Sequence, residues 1–267
     1  MSRLERAPLP AEATALHGVP LSTADTPRNR AAGGIRRLSE QLVGRTIPGP
    51  VLAAMADEVE RLADSLEEAA EPGKRPRGQP DNTGHPQDFF PTSPMIGFAN
   101  PIAPPVELWA VNGQDGKLEL RGRAVFGYPY EGPPTCVHGG VIAELMDELL
   151  GSANIITNRA GMTGTLTVKY RKPTPLLTPL DLVARQTHTE GRKIFAWGGI
   201  YHEGELTAEA EGIFIELGPT KMLSIVTANA KEAAGDVVDP DLQAFVDQGG
   251  NVLGTEGTLG AEGPHPA

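Results

Sequence analysis

The chain has 267 residues, of which 39% are hydrophobic, with 32 glycines and 25 prolines. That length can bury a sizeable core, while the glycine and proline content points to one compact core domain flanked by loop-rich extensions. A formal net charge of −11 argues against nucleic acid or an anionic membrane as the main partner; the single cysteine, Cys136, excludes an intrachain disulfide framework or a cysteine-rich zinc site and fits a reducing cytoplasm.

Residues 1–28 are rich in proline, alanine and threonine without periodicity and read as an irregular arm. They contain no apolar run of signal-peptide type, and no stretch approaches the roughly 18 apolar residues of a membrane span, so neither secretion nor insertion is expected. Helical spacing follows over 29–70. Ile35, Leu38 and Leu42 form one stripe between Asn29 and Leu42. After Pro48 and Pro50 the steps Leu52, Met55, Val59, Leu62 and Leu66 alternate three and four, predicting a second, amphipathic helix. Residues 71–99, dense in proline, glycine and polar groups, read as a linker or long covering loop.

The core domain is expected over 100–218. Glu107 to Val111 is a candidate strand, and Lys117 to Val125 alternates Lys117, Glu119, Arg121 and Arg123 with Leu118, Leu120, Gly122 and Ala124, giving one wet face and one buried face. A glycine- and proline-rich loop, Gly127 to Pro134, leads to His138-Gly139-Gly140. A helix then runs to about Asn158, with Ile142, Leu145, Met146, Leu149 and Ala153 as its apolar stripe. Strand patterns follow over Thr163–Tyr170, Leu180–Thr189, Lys193–Tyr201 and Glu205–Leu217, with hairpin-compatible turns at Glu190-Gly191 and Glu203-Gly204. The implied fold class is α+β, a curved antiparallel sheet around one long central helix, with extra N-terminal helices. Residues 219–267 read as a C-terminal extension ending in a disordered tail, and no second copy of the helix motif occurs.

Two glycines at the start of the central helix leave its first N–H groups accessible. The helix dipole makes them partially positive, a setting suited to a polarised carbonyl oxygen. Asp147, eight residues beyond Gly139, is the carboxylate placed to attack that carbonyl or to activate water against it. Wheel placement puts Asp147 at the border of the apolar stripe and Glu144, Glu148 and Ser152 on the polar face, so Asp147 is the carboxylate expected to be partly buried. His138 is expected to cap the helix or bond the loop, positioning the carbonyl rather than transferring a proton. Cys136 has no activating group evident beside it and reads as an inert thiol. A glycine pair also serves ordinary turn formation, and β propensity alone explains a strand carrying Thr163, Thr165 and Thr167.

The ordered set Tyr130-Glu131-Gly132-Pro133-Pro134, Val137-His138-Gly139-Gly140, Asp147, Met162–Tyr170 with Arg171-Lys172-Pro173, and Glu190-Gly191-Arg192-Lys193 resembles the hotdog-fold acyl-CoA thioesterases. The resemblance is to the group of the phenylacetate-pathway thioesterase and the thioesterase-superfamily long-chain acyl-CoA hydrolases, and it covers about Asn100 to Leu217. It implies the hotdog fold and hydrolysis of acyl-CoA thioesters to free acid and CoA. It further implies that the Gly139 N–H binds the thioester oxygen, that Asp147 is general base or nucleophile, and that the Thr163 hydroxyl orients the aspartate or water. A homodimer or dimer of dimers with composite sites is implied as well. The spacing agrees with this: eight residues at about 1.5 Å each separate Gly139 from Asp147 by roughly 12 Å along the helix axis. Reacting atoms must come within about 3.5 Å, so Gly139 of one subunit must meet Asp147 and Thr163 of another.

An acidic chain has to answer the phosphates of coenzyme A locally. Arg171, Lys172, Arg192 and Lys193 are the candidate contacts, with Gly140 beside Gly139 in the substrate-binding set. Coenzyme A would be part of the substrate. No metal or redox cofactor is expected, since the sequence has no glycine-rich dinucleotide fingerprint, Walker A run or metal-ligand histidine spacing. Expected partners are therefore acyl-CoA and further copies of the chain, with no nucleic acid and no membrane span. Two other readings stand beside hydrolysis. One is a non-catalytic acyl-CoA-binding or regulatory protein, against which Asp147 and Thr163 speak. The other is a hotdog enoyl-thioester hydratase or dehydratase, whose histidine and acidic pair is not found in this sequence.

Overall fold

The computed structural model describes residues 26–70, 87, 90–113, 116–157, 159 and 161–217. Most of the arm expected over 1–28, residues 71–86 of the 71–99 segment, and the extension over 219–267 lie outside the described residues. The elements are α1 (Pro27–Gly44), α2 (Gly49–Ala69), β1 (Val106–Asn112), β2 (Leu118–Ala124), α3 (Gly139–Ile155), β3 (Gly161–Tyr170), β4 (Leu180–Glu190), β5 (Lys193–His202) and β6 (Glu205–Glu216). Helix α1 starts before its apolar stripe because Thr26 Oγ1 accepts the Asn29 N–H at 3.1 Å and Pro27 fits the first turn.

The six strands form one antiparallel sheet in the order β1-β2-β4-β5-β6-β3. Their inner faces close on α3, which buries Ile142, Leu145, Met146, Leu149, Leu150 and Ala153. This α+β arrangement is the hotdog fold. Helix and sheet approach closely because two glycines stand beneath Leu150. A Cβ at Gly212 would lie 2.9 Å from Leu150 Cδ1, and one at Gly198 would lie 3.2 Å from Leu150 Cδ2. The β5–β6 hairpin turns on Glu203 and Gly204, whose φ values of 50° and 79° give the paired left-handed conformation that matches strand twist.

The end of the segment expected as linker or covering loop is part of the core. Met95 and Ile96 are buried in it, so residues 90–105 form a strap on the side of α3 that the sheet leaves open. Gln87 ties this region to the sheet. Its Nε2 donates to Val106 O at 2.7 Å and to Ile96 O at 3.3 Å, and its Oε1 accepts the Leu108 N–H at 3.2 Å. Strand β1 is an edge of the sheet, and the Gln87 amide gives its backbone the partners that a neighbouring strand would supply. The other edge, β3, is exposed from Met162 to Thr165.

Replacing Gln87 with Ala strands buried backbone groups of Ile96, Val106 and Leu108. Urea unfolding should register a loss of roughly 1–3 kcal/mol, and the Leu108 amide should exchange its hydrogen faster. Unchanged stability and exchange would mean that the strap is held by its apolar residues alone.

Candidate active site

The loop entering α3 is folded back on itself. After a tight helical turn at Tyr128–Tyr130, Glu131 and Val137 face each other as an isolated bridge, and Gly132 N–H donates to Cys136 O at 3.0 Å. His138 N–H donates to Tyr130 O at 2.9 Å, which delivers His138 as the cap of α3. Its Nδ1 accepts the Gly140 N–H at 3.0 Å. That bond uses one of the two glycine donors. Gly139 therefore keeps the N–H of the pair that is unengaged among the described residues, at the positive end of the helix dipole. At the far end of β3, Tyr170 Oη donates to Gly139 O at 2.8 Å and pins the first peptide of α3 to the sheet. The sequence assigns Tyr170 no role of its own; its signals there are its place at the close of a threonine-rich strand and within the Met162–Tyr170 motif.

Asp147 lies two turns along α3, where its Oδ1 accepts the Thr163 hydroxyl at 2.8 Å. This contact depends on a bulge. Thr165 and Thr167 pair with Ile213 and Glu211, whereas Leu166 and Val168 pair with Gly212 and Ala210 and share the inner face with them. Strict alternation would put Thr163 outside with Thr165 and Thr167. The register shifts between Thr163 and Thr165, with Gly164 as the extra residue, and Thr163 pairs with the buried Phe214. Thr163 is thereby turned inward toward the helix.

Glu144 is exposed, as the wheel placement expects, whereas Glu148 and Ser152 depart from it. Glu148, expected on a polar face, is partly covered and bonded by the strap, and Ser152, expected there too, is 1% exposed. Glu148 Oε2 accepts the Ser93 hydroxyl at 3.1 Å, and Ser93 Oγ in turn accepts the Met95 and Ile96 N–H groups at 3.2 Å. Burial holds the Glu148 carboxyl above the usual carboxylate range. The Ser93 hydrogen bond opposes that shift, and the charges of Asp147 and Glu144 add to it. The wheel treats α3 as covered on one side only, whereas sheet and strap enclose it from two. Asp147, half-buried, faces β3 between them.

The four expected phosphate contacts lie at opposite ends of the sheet. Arg171 and Lys172 follow β3 beside the start of α3, while Arg192 and Lys193 sit at the β4–β5 turn, against the end of β6. Arg171 Nε bonds Glu209 Oε1 at 2.9 Å, and Glu209 also accepts the Trp197 indole N–H at 3.1 Å. The Arg171 bond is the first cause holding Glu209 below the usual carboxylate range. Lys172 pairs with Glu205 at 2.7 Å with both side chains well exposed, and Arg192 donates to Glu216 O at 3.2 Å. An exposed pair such as Lys172–Glu205 is worth only about 0.2–1 kcal/mol, so an incoming phosphate can displace it. Arg171 is the more committed of the two. Among the described residues no cluster of His, Cys, Asp and Glu could hold a metal ion, and no helix is long and apolar enough to cross a membrane.

Residues 135–209, which contain His138, Gly139, Asp147 and Thr163, match the family model of the thioesterase superfamily. The acyl-coenzyme A thioesterase THEM4 of Mus musculus is 37% identical over 112 residues, 40% of this chain and 48% of that protein. Its Bos taurus counterpart is 37% identical over 98 residues, 36% and 40% of the two chains. The chain thus spans about half the length of the curated relatives it matches, or somewhat less. A crystal structure of a thioesterase superfamily protein is 34% identical with a TM-score of 0.63, covering 72% of this chain and 92% of that one. That share exceeds what β1 to β6 occupy, so the likeness extends into the flanking segments.

The raised pKa of Glu148 makes a stability prediction. Between the unfolded and folded pKa values the native state holds the proton more tightly, so Glu148 costs stability as pH rises through that window and nothing below it. Glu148→Gln, which keeps an acceptor for Ser93, should raise Tm at pH 8. The gain should vanish near pH 4, about where an unfolded glutamate titrates. A gain independent of pH would show that ionisation of Glu148 is not its source.

Proposed function

The chain belongs to the thioesterase superfamily, and from that membership we propose that it hydrolyses acyl-CoA thioesters to the free acid and coenzyme A. The observation that carries the reading is the 2.8 Å hydrogen bond from Thr163 to Asp147, a carboxylate held in one orientation on a buried helix by a hydroxyl that a bulge turns inward. In this mechanism the thioester oxygen accepts the Gly139 N–H, and the helix dipole stabilises the oxyanion as the carbonyl carbon becomes tetrahedral. Asp147 either takes a proton from the attacking water or attacks the carbon itself, in which case water then cleaves the mixed anhydride. The C–S bond breaks in either course, and the thiolate leaves as coenzyme A and takes up a proton. His138 serves as the cap of α3, its Nδ1 accepting the Gly140 N–H. Tyr170 acts as a positioning residue by fixing the Gly139 peptide.

Gly139 and Asp147 are roughly 12 Å apart along the axis of α3, so the working site is composite, Gly139 from one copy and Asp147 with Thr163 from the other. The exposed edge of β3 is the natural seam for such a homodimer, since an open strand edge favours pairing with another chain. Joining the start of one α3 to the middle of the other also brings Arg171 and Lys172 of one copy near Arg192 and Lys193 of its partner, concentrating positive charge where the phosphates of coenzyme A would lie. Coenzyme A is substrate, and this route calls on no metal or redox group. A cytoplasmic location fits the lone thiol of Cys136.

Thiol release from a panel of aryl and aliphatic acyl-CoAs tests the reading. Asp147→Asn should lower kcat by about 10²–10⁴-fold, the range for loss of a positioned base. Thr163→Val should lower it by roughly 10–100-fold, the equivalent of one hydrogen bond to a charged group. Deleting Gly164 should cost less than Thr163→Val, because Thr163 then directly precedes Thr165 and regular alternation keeps it opposite Phe214 on the inner face. Tight acyl-CoA binding with no thiol release, or full activity in Asp147→Asn, would overturn the proposal.

A further inference from the structure

Among the described residues, eight of the fourteen exposed large hydrophobic residues lie on α1 and α2, a concentration that isolated surface residues do not produce. Helix α1 is seated on the molecule by one side. Ala32 is buried, and Arg36 Nη1 donates to Asn100 O at 2.7 Å, yet Ile35, Leu38 and Leu42 all face outward. Helix α2 buries none of its residues. The two helices do not pack along each other as a helical hairpin, since α1 makes its main element contacts with the Tyr128–Tyr130 turn and not with α2.

The α2 stripe is more specific than a generic apolar face. Leu52, Met55, Val59, Leu62 and Leu66 alternate steps of three and four, the narrow seam that meets one partner helix knob into hole. Charge indicates which helix that is. α2 carries six carboxylates against Arg61 alone, which disfavours pairing with another α2. α1 carries Arg28, Arg30, Arg36 and Arg37 against Glu40 alone, and its own stripe follows the same spacing.

We propose that α2 of one copy of this chain docks lengthwise against α1 of a second copy, apolar stripe to apolar stripe and acidic flank to basic flank. The exchange is reciprocal, so two copies bury both seams at once in an isologous contact. α1 rests on the Tyr128–Tyr130 turn, whose Tyr130 carbonyl holds His138 N–H, so the docked helix lies on the far side of α1 from the loop that leads into α3. The contact adds an interaction surface beyond the hydrolase reading and does not depend on it.

Crosslinking of the full chain on a Cys136→Ser background tests this. Leu38→Cys is placed in a chain with one tag and Leu62→Cys in a chain with another, and the mixture is treated with a short bismaleimide. A covalent heterodimer is expected. The charge reversal Glu60→Arg should reduce its yield several-fold, and Arg37→Glu on the opposing chain should restore it, with circular dichroism confirming that the helices persist. No heterodimer, or a doubly substituted chain that closes on itself at high dilution, would overturn the proposal, as would a Leu62→Cys thiol shielded by another segment of its own chain. Electrophoresis reads the crosslink without catalysis, so this proposal and the hydrolase reading fail or succeed separately.

Discussion

Because α3 is buried along its length between the sheet and the strap, the roughly 12 Å of helix axis between Gly139 and Asp147 cannot be shortened by bending or sliding. Gly198 and Gly212 set the depth at which the helix lies, and the strap closes its other side. With the helix fixed, β3 meets it at two points. Tyr170 holds the peptide whose N–H would bind a carbonyl oxygen, and Thr163 holds the carboxylate that would activate water. The two halves of the chemistry are each complete in one chain and are kept apart by the same packing that makes each of them rigid.

Much of this fold was legible in the sequence because alternation and turn chemistry are local. The pattern Lys117 to Val125 and the Glu203-Gly204 turn identify β2 and the β5–β6 hairpin without tertiary information, and the glycine pair marks the start of α3. The misplacement of Glu148 and Ser152 has a non-local cause. A helical wheel reports which face is apolar, and it cannot report that a proline-rich segment some fifty residues upstream in the chain folds over the polar face and hydrogen-bonds it through Ser93. Thr163 illustrates the same limit at a smaller scale. Its residue type is ordinary for a strand, and the bulge at Gly164 that turns it inward appears only in the register with β6.

The charges divide along similar lines. Sequence marks Arg171, Lys172, Arg192 and Lys193 as basic residues in an acidic chain, and cross-strand pairing decides how available each one is. Arg171 shares Glu209 with Trp197, whereas Lys172 faces Glu205 in water, where a phosphate competes on nearly equal terms. Both sheet edges likewise face the same physical problem of unpaired backbone. The buried amide of Gln87 answers it at β1, and a second copy of the chain would answer it at β3.

The central claim is that a working site takes Gly139 from one chain and Asp147 from another, and subunit mixing tests it most directly. Proline fits the first turn of a helix and removes the N–H, and a Cβ at Gly139 would make only ordinary contact with Tyr170, so Gly139→Pro deletes the donor with little disturbance. Gly139→Pro and Asp147→Asn homodimers should each be inactive in thiol release. Heterodimers of the two should recover activity at one of their two sites, the one that combines the intact Gly139 with the intact Asp147. Verified heterodimers that remain inactive would contradict the account.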